Sequence, residues 1–237
     1  MSSNNITYEG KDLEAMSFAQ KYHRWIADAF YPYLGKRVAE VGAGSGDFST
    51  LLLSSGIEQL VCVEPSEEMY PLLYEKHSNE TRAVFHKALF SGLLDRYKNH
   101  FDSVIYINVL EHVEKDIDEL RHTHRSLKAG GYVCIFVPAL PALYSEFDAS
   151  VGHYRRYTKT YLEHILEQSG FEIERLSYFD IVGVIPWFVF FKLLRKKQLN
   201  PGYIRVYDNI IVPFSRIFES IVRVPTGKNL IAVARKI

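Results

Sequence analysis

From residue 37 onward, short apolar runs alternate with amphipathic stretches. The runs fall at 37–41, 59–64, 83–86, 101–107 and 132–137, and are rich in Val, Ile, Phe and Tyr, which suit a pleated surface. Between them, 48–54, 66–77 and 115–127 read as helices, the last stopped by Lys128-Ala-Gly-Gly131. Strands that alternate with helices pair in parallel through crossover connections. Near-continuous apolar strands are covered on both faces. The pattern predicts a doubly wound, mostly parallel α/β sheet.

The flanks read differently. A helix is expected over 13–34, ending near Pro32 and Gly35, after a frayed end at 2–5. Residues 139–158 form a loop-like stretch rich in Tyr, Arg and Asp. A helix over 159–169 closes on Gly170 as a left-handed cap. A sixth strand follows at 171–176, and a seventh at 229–235. Apolar helical stretches fill the insert between them, 180–225. We read 1–237 as one domain: a helical cap (1–34), a ligand-binding core (35–138), an acceptor-side region (139–228) and a final strand (229–236).

Composition changes this picture little. Lys plus Arg and Asp plus Glu both number 28, so the net charge is zero with His neutral. A balanced chain has no overall field to draw in nucleic acid, and no nucleic acid partner is expected. The two cysteines, Cys62 and Cys134, sit in apolar runs and are expected as buried free thiols, which suits a cytoplasmic protein. The first twelve residues lack the pattern of a signal peptide. The longest strongly apolar stretch, 181–191, is too short to span a bilayer.

The candidate chemistry begins at Glu40-Val-Gly-Ala-Gly-Ser-Gly46, a glycine loop between the first strand and a helix. Glycines allow a tight turn and a close ligand, and the helix beyond offers free N–H groups. A dinucleotide fingerprint spaces its glycines Gly-x-Gly-x-x-Gly. Here they fall at 42, 44 and 46, with Glu40 two residues ahead. A carboxylate there opposes a pyrophosphate and welcomes a cation, so the loop favours S-adenosylmethionine, which carries a sulfonium and an ammonium. Glu64 ends the second strand, where a carboxylate reaches ribose hydroxyls in folds of this kind.

These residues resemble the class I S-adenosylmethionine-dependent methyltransferases. Val38-Ala-Glu-Val-Gly-Ala-Gly-Ser-Gly46 looks like that family's first motif, and Val63-Glu-Pro65 like its second acidic strand end. Phe101-Asp-Ser-Val-Ile-Tyr-Ile-Asn-Val-Leu-Glu-His-Val113 looks like its fourth-strand motif, and Leu127-Lys-Ala-Gly-Gly-Tyr-Val-Cys-Ile-Phe-Val-Pro138 like its fifth. Tyr22-His-Arg-Trp25, Val137-Pro-Ala-Leu-Pro-Ala-Leu-Tyr144, Gly152-His-Tyr-Arg-Arg-Tyr157 and Leu230-Ile-Ala-Val-Ala-Arg-Lys236 resemble a bacterial branch with a helical insert between strands six and seven.

The resemblance implies a seven-stranded sheet with its last strand antiparallel, and a set of cofactor contacts. Gly42, Ala43, Gly44 and Gly46 would back the methionine and ribose. Glu40 would meet the ammonium. Glu64 and Pro65 would lie at the ribose, and Met69, Ala88 and Leu89 at the adenine. Asn108, Val109 and Leu110 would line the methionine side, and Tyr22 and Trp25 would lie over the cofactor. The family often places an acid after strand three, where Lys87 stands here.

Methyl transfer is a direct displacement, so the protein aligns the acceptor, excludes water and removes a proton from a hydroxyl acceptor. His112 and His153 are the two candidate bases. Tyr144, Tyr154, Arg155, Arg156 and Tyr157 are candidate acceptor contacts; the alternative is a structured lid whose arginines pair with Glu146 or Asp148. No metal site is expected, since His122 and His124 point to diverging, exposed helix faces. The stretch 181–197 runs from aromatic to basic, which suits a cap over the acceptor, a homodimer face or peripheral membrane contact. The expected acceptor is a small molecule, a glycan or a lipid-linked compound. Two rivals remain: a non-catalytic S-adenosylmethionine-binding protein and an NAD-dependent oxidoreductase.

Overall fold

The computed structural model describes residues 19–198 and 200–237. The 13–18 part of the first expected helix, and the frayed end at 2–5, lie outside the described residues. What remains of that helix is α1 (Gln20–Phe30), followed by a 3₁₀ turn through Pro32. Then come β1 (Arg37–Val41), α2 (Asp47–Leu53), β2 (Gln59–Val63), α3 (Met69–His77), β3 (Ala83–His86) and β4 (Phe101–Ile107). The second half holds α4 (Asp116–Ser126), β5 (Leu127–Pro138), α5 (Glu146–Ser150), α6 (Lys159–Gln168), β6 (Phe171–Phe179) and β7 (Asn229–Lys236).

The seven strands form one sheet in the order β3-β2-β1-β4-β5-β7-β6. Pairing is parallel from β3 to β5. β7 runs antiparallel between β5 and β6. The alternation of side chains along each strand divides the core in two. Ala39, Val41, Val104, Val133 and Ile135 face one side, against Leu120 of α4 and Leu162, Ile165 and Leu166 of α6. Val38, Leu60, Ile105, Cys134 and Ile231 face the other, against Ile26 and Phe30 of α1 and Leu52 of α2. Cys62 and Cys134 are buried free thiols in the second of these layers.

Three expectations need correction. β5 begins at Leu127, earlier than the glycine pair suggested: Leu127 already pairs with Phe101, residues 128–131 bulge out, and pairing resumes at Tyr132 with Ser103. The 139–158 stretch contains α5, opened by a capping box in which Ser145 and Asp148 serve each other's backbone N–H groups. His122 and His124 are half-buried, with His122 beside Glu119 and His124 edge-on to Phe171.

The insert is two helical arms. One joins α7 (Val184–Trp187) to a π-helical turn (Phe188–Leu193). The other runs from α8 (Pro201–Val206) through a second π-helical turn (Tyr207–Ile211) into α9 (Val212–Ile221). Its buried Asp208 reaches back to the start of α1, accepting from the N–H groups of Lys21 (3.0 Å) and Tyr22 (2.8 Å). These donors have no partner within their own helix, so a side chain from the far end of the sequence caps it. Ile185, Phe214, Ile217 and Ile221 of the insert are exposed. No described helix is long and apolar enough to cross a membrane.

Gly170 caps α6 with φ of +86°, and a Cβ there would stand 3.0 Å from His124 Nε2. Gly170→Ala should therefore lower stability by about 1–2 kcal/mol through left-handed strain and crowding. Urea unfolding of the two proteins measures this; an unchanged midpoint would show that the cap tolerates a side chain.

Candidate active site

The loops that follow β1, β2 and β4 open on one edge of the sheet, where the strand order turns back on itself. The first of them is the glycine loop. Gly42, Gly44 and Gly46 all have positive φ, +70°, +55° and +80°. A Cβ on Gly42 would lie 2.4 Å from Val109 Cγ2, so the loops after β1 and β4 touch at a point that only glycine permits.

Glu64 holds this loop from the next strand. One carboxylate oxygen accepts from the N–H of Gly44 (2.8 Å), the other from that of Ser66 (2.9 Å). Each oxygen keeps further lone-pair capacity, which two ribose hydroxyls can use. Burial pushes the Glu64 carboxyl up, against the two backbone hydrogen bonds. Pro65 links it to the turn before Met69, the buried first residue of α3. Ala88 is half-buried and Leu89 exposed beyond β3, and Lys87 is turned outward onto Glu67.

Glu40 is buried on the α1–α2 side of the sheet, where Ser49 of α2 donates to it. Burial raises its pKa to about 8. At pH 7 the group is thus mostly protonated, and a nearby cation would draw off the proton. A buried acid of this kind fits a cationic ligand far better than a phosphate. At the end of β4, Asn108 takes φ of +52° and donates its N–H to the carbonyl of Phe136 (2.8 Å). Leu140 (+58°) and Asp180 (+62°) repeat the left-handed turn just past β5 and β6. For Leu140 it costs about 1–2 kcal/mol, and such strain gathers where backbone is aimed at ligands.

Tyr22 and Trp25, expected over the cofactor, are both buried in the apolar layer with Phe136 and Phe179. Tyr22 lies edge-on to Phe136 and Phe179, its hydroxyl donating to Asn229 (3.1 Å), and Trp25 covers Phe179 at 3.9 Å between ring centres. They fill the space above the ends of β5 and β6.

The two candidate bases meet. His112 and His153 stand edge to face with ring centres 4.6 Å apart, beside Glu111. Buried Leu110 and Glu111 belong to the tight turn after β4. Burial, and then His153, lower the His112 pKa to about 3. Burial raises that of Glu111 to about 7, opposed by His153.

The expected acceptor contacts are mostly engaged with the protein itself. Arg156 is buried and donates to Asp148 (2.8 Å), which also accepts from His153 Nδ1 (3.1 Å) and from the Ser145 hydroxyl (2.8 Å). Arg155 pairs with Asp116 (2.6 Å). Tyr157 is fully buried, donating to Asp116 and the carbonyl of Leu110. The Tyr144 hydroxyl donates to the carbonyl of His153 (2.6 Å). Tyr154 alone of the five is exposed. The structured-lid alternative describes this geometry: Arg156 takes Asp148, while Lys197 of the insert approaches Glu146. Sequence reasoning missed Asp116 and Asp208, whose partners lie far along the chain. Asp148 was expected only as a partner of the arginines, although the Ser-x-x-Asp capping pattern also marks it.

The sheet order and this strand-edge site define a class I S-adenosylmethionine-dependent methyltransferase. Residues 15–176 match the family model described as a methyltransferase domain, and the chain belongs to that family. It is 21% identical to an S-adenosylmethionine-dependent methyltransferase from Archaeoglobus fulgidus, whose fold it shares over 90% of this chain and 94% of that one, with a TM-score of 0.59. The 1,6-didemethyltoxoflavin-N1-methyltransferase of Burkholderia thailandensis, solved with S-adenosylhomocysteine, has the same fold: 17% identity, TM-score 0.62, 96% and 82% of the two chains. S-adenosylmethionine is the cofactor, and the NAD-dependent rival falls away.

Among curated relatives, the tRNA U34 carboxymethyltransferase of Dichelobacter nodosus is 32% identical over 117 residues, 48% of this chain. The match spans 36% of that relative's length. Relatives named for tRNA overturn the expectation that nucleic acid has no part here. A balanced net charge was too coarse a ground, because it is blind to local surface.

Arg156 decides between its two expected roles. Arg156→Met removes the guanidinium that pairs with the buried Asp148, so stability should fall by about 3–5 kcal/mol. Chemical denaturation reads the loss; an unchanged midpoint would return Arg156 to the acceptor.

Proposed function

We propose that this enzyme methylates an acceptor with a bulky apolar portion, lipid-linked or aromatic. The observation behind this is a groove of about 740 Å³ between the insert arms. Tyr22, Trp187, Phe190, Phe191, Tyr203 and Tyr207 line it, and Lys228 stands at its wall. Lys228 Nζ is 3.1 Å from Asp180 and 4.9 Å from the centre of the Tyr22 ring. Tyr22 in turn packs on Phe136, whose carbonyl holds Asn108. The groove thus begins two packed residues away from the cofactor side of β4. Its volume and aromatic lining are those of a small-molecule site.

In this reading Gly42, Ala43, Gly44 and Gly46 back the cofactor, Glu64 and Pro65 meet its ribose, and Met69, Ala88 and Leu89 flank its adenine. Glu40 answers its positive charge, and Asn108, Val109 and Leu110 form the wall beside it. When bound, S-adenosylmethionine supplies a methyl carbon open to direct displacement. The protein's own work is to align the acceptor, exclude water and take up the proton that a hydroxyl acceptor sheds; His112, His153 and Glu111 are the polar groups at hand. A tRNA acceptor is the second reading, favoured by the names of the curated relatives.

Two measurements test this. Purified enzyme with methyl-labelled cofactor should label a bacterial lipid extract; label in bulk tRNA and none in lipid would reverse the two readings. Separately, cofactor binding at pH 7 should release about one proton, because Glu40 passes from protonated to ionised. Affinity should rise as pH climbs towards 8 and level off above it. Calorimetry in buffers of differing ionisation enthalpy reads the proton, and Glu40→Gln should abolish it. A wild-type enthalpy independent of buffer would remove Glu40 from the cationic contact.

A further inference from the structure

Glu111 is fully buried, and neither carboxylate oxygen has a hydrogen-bond partner among the described residues. A buried carboxylate left without donors is costly unless something absent from the protein chain completes it. Its neighbours point to what that is. One carboxylate oxygen of Glu111 and one ring nitrogen each of His112 and His153 all lie within 4.8 Å of one another. His153 Nε2 stands 4.0 Å from Glu111 Oε1, too far for a hydrogen bond. Two ligand atoms on a shared divalent ion sit about 3.3–3.5 Å apart at metal–ligand distances of about 2.0–2.1 Å. The cluster is therefore a slightly open version of a metal shell.

The surroundings of His153 are those of a metal ligand. Its other nitrogen, Nδ1, is bonded to Asp148 (3.1 Å), which fixes the ring and leaves Nε2 facing Glu111. Asp148 is itself held by Arg156 and Ser145. A carboxylate behind a histidine in this way orients the ring and strengthens it as a ligand. His112 and His153 are only partly buried, which leaves an ion a way in from solvent.

We propose that Glu111, His112 and His153 bind one divalent transition-metal ion of the borderline class, such as Zn²⁺, Co²⁺ or Ni²⁺. Two imidazoles and one carboxylate suit those ions, and three protein ligands leave positions open. The turn that carries Glu111 and His112 follows β4 directly, on the edge of the sheet where the crevice opens. A hydroxyl drawn onto such an ion releases its proton to water more readily. The site would then do for the acceptor what a free base would otherwise do. This rests on the methyltransferase reading for its role in the reaction, but not for the binding itself. It also revises the expectation that the chain has no metal site: the two bases expected from sequence become ligands.

The test uses tag-free, full-length protein stripped with chelator and titrated with Co²⁺. One equivalent should bind saturably, develop visible absorption bands and raise the melting temperature. Glu111→Gln, conservative in shape at a side chain without a hydrogen-bond partner among the described residues, should keep the fold by circular dichroism and weaken Co²⁺ binding at least tenfold. His153→Asn should do the same, and Asp148→Asn should weaken it about 10–100-fold. Absence of saturable binding by the wild type, or equal affinity in folded Glu111→Gln protein, would overturn the site. S-adenosylhomocysteine binding is measured in parallel. Its loss in the wild type would count against the cofactor reading alone, and its presence without Co²⁺ binding against the metal site alone.

Discussion

A parallel strand can be followed by another only if the chain crosses back over the sheet. Every loop that leaves a strand therefore emerges on the same edge. That constraint sets where chemistry can occur in this protein. The glycine loop, the turn at Ser66, Asn108 and Glu111 come from segments far apart in sequence, yet each follows its strand onto one rim. Gly42 and Val109 meet there at a distance no side chain on residue 42 could share. Glu64 then fastens the loop from the neighbouring strand through Gly44.

Strands β1 to β5 were legible because their runs are apolar on both faces and separated by helical spacing. Their two packing layers follow from alternation alone. The cofactor loop was legible because its glycines and acids are close in sequence. The acceptor side was harder to read, for a physical reason. Arg155, Arg156 and Tyr157 carry the same groups whether they grip a substrate or a neighbouring carboxylate, and only distance decides. Asp116 takes Arg155, Tyr157 and Tyr161 across about forty residues of chain. Nothing periodic marks such a partner. Tyr22 and Trp25 show the same limit: an aromatic pair on an N-terminal helix can cover a ligand or a strand end, and here it covers Phe136 and Phe179.

Buried aspartates recur as clamps on the acceptor side. Asp148 gathers Ser145, His153 and Arg156, Asp180 gathers Gly183, Tyr207 and Lys228, and Asp208 caps α1. Each accepts at least two hydrogen bonds from other residues, as a buried carboxylate requires. Glu111 differs in that both of its oxygens lack a hydrogen-bond partner among the described residues. The apolar insert hangs on these polar joints, so the groove it encloses is held by directional bonds at its rim and by aromatic packing inside.

The place of β7 bears on how the chain reaches this state. β7 comes last in sequence among the described strands, yet lies between β5 and β6 and is the neighbour to which β6 pairs. As the chain leaves the ribosome, β1 to β5 can associate, while β6 still lacks β7, its neighbour in the finished sheet. The apolar edge of β5 stays open through the synthesis of some ninety residues, and unpaired edges of that kind invite aggregation. Completion of the acceptor side is therefore a late event in the life of each new molecule, and this interval is when a chaperone would matter most.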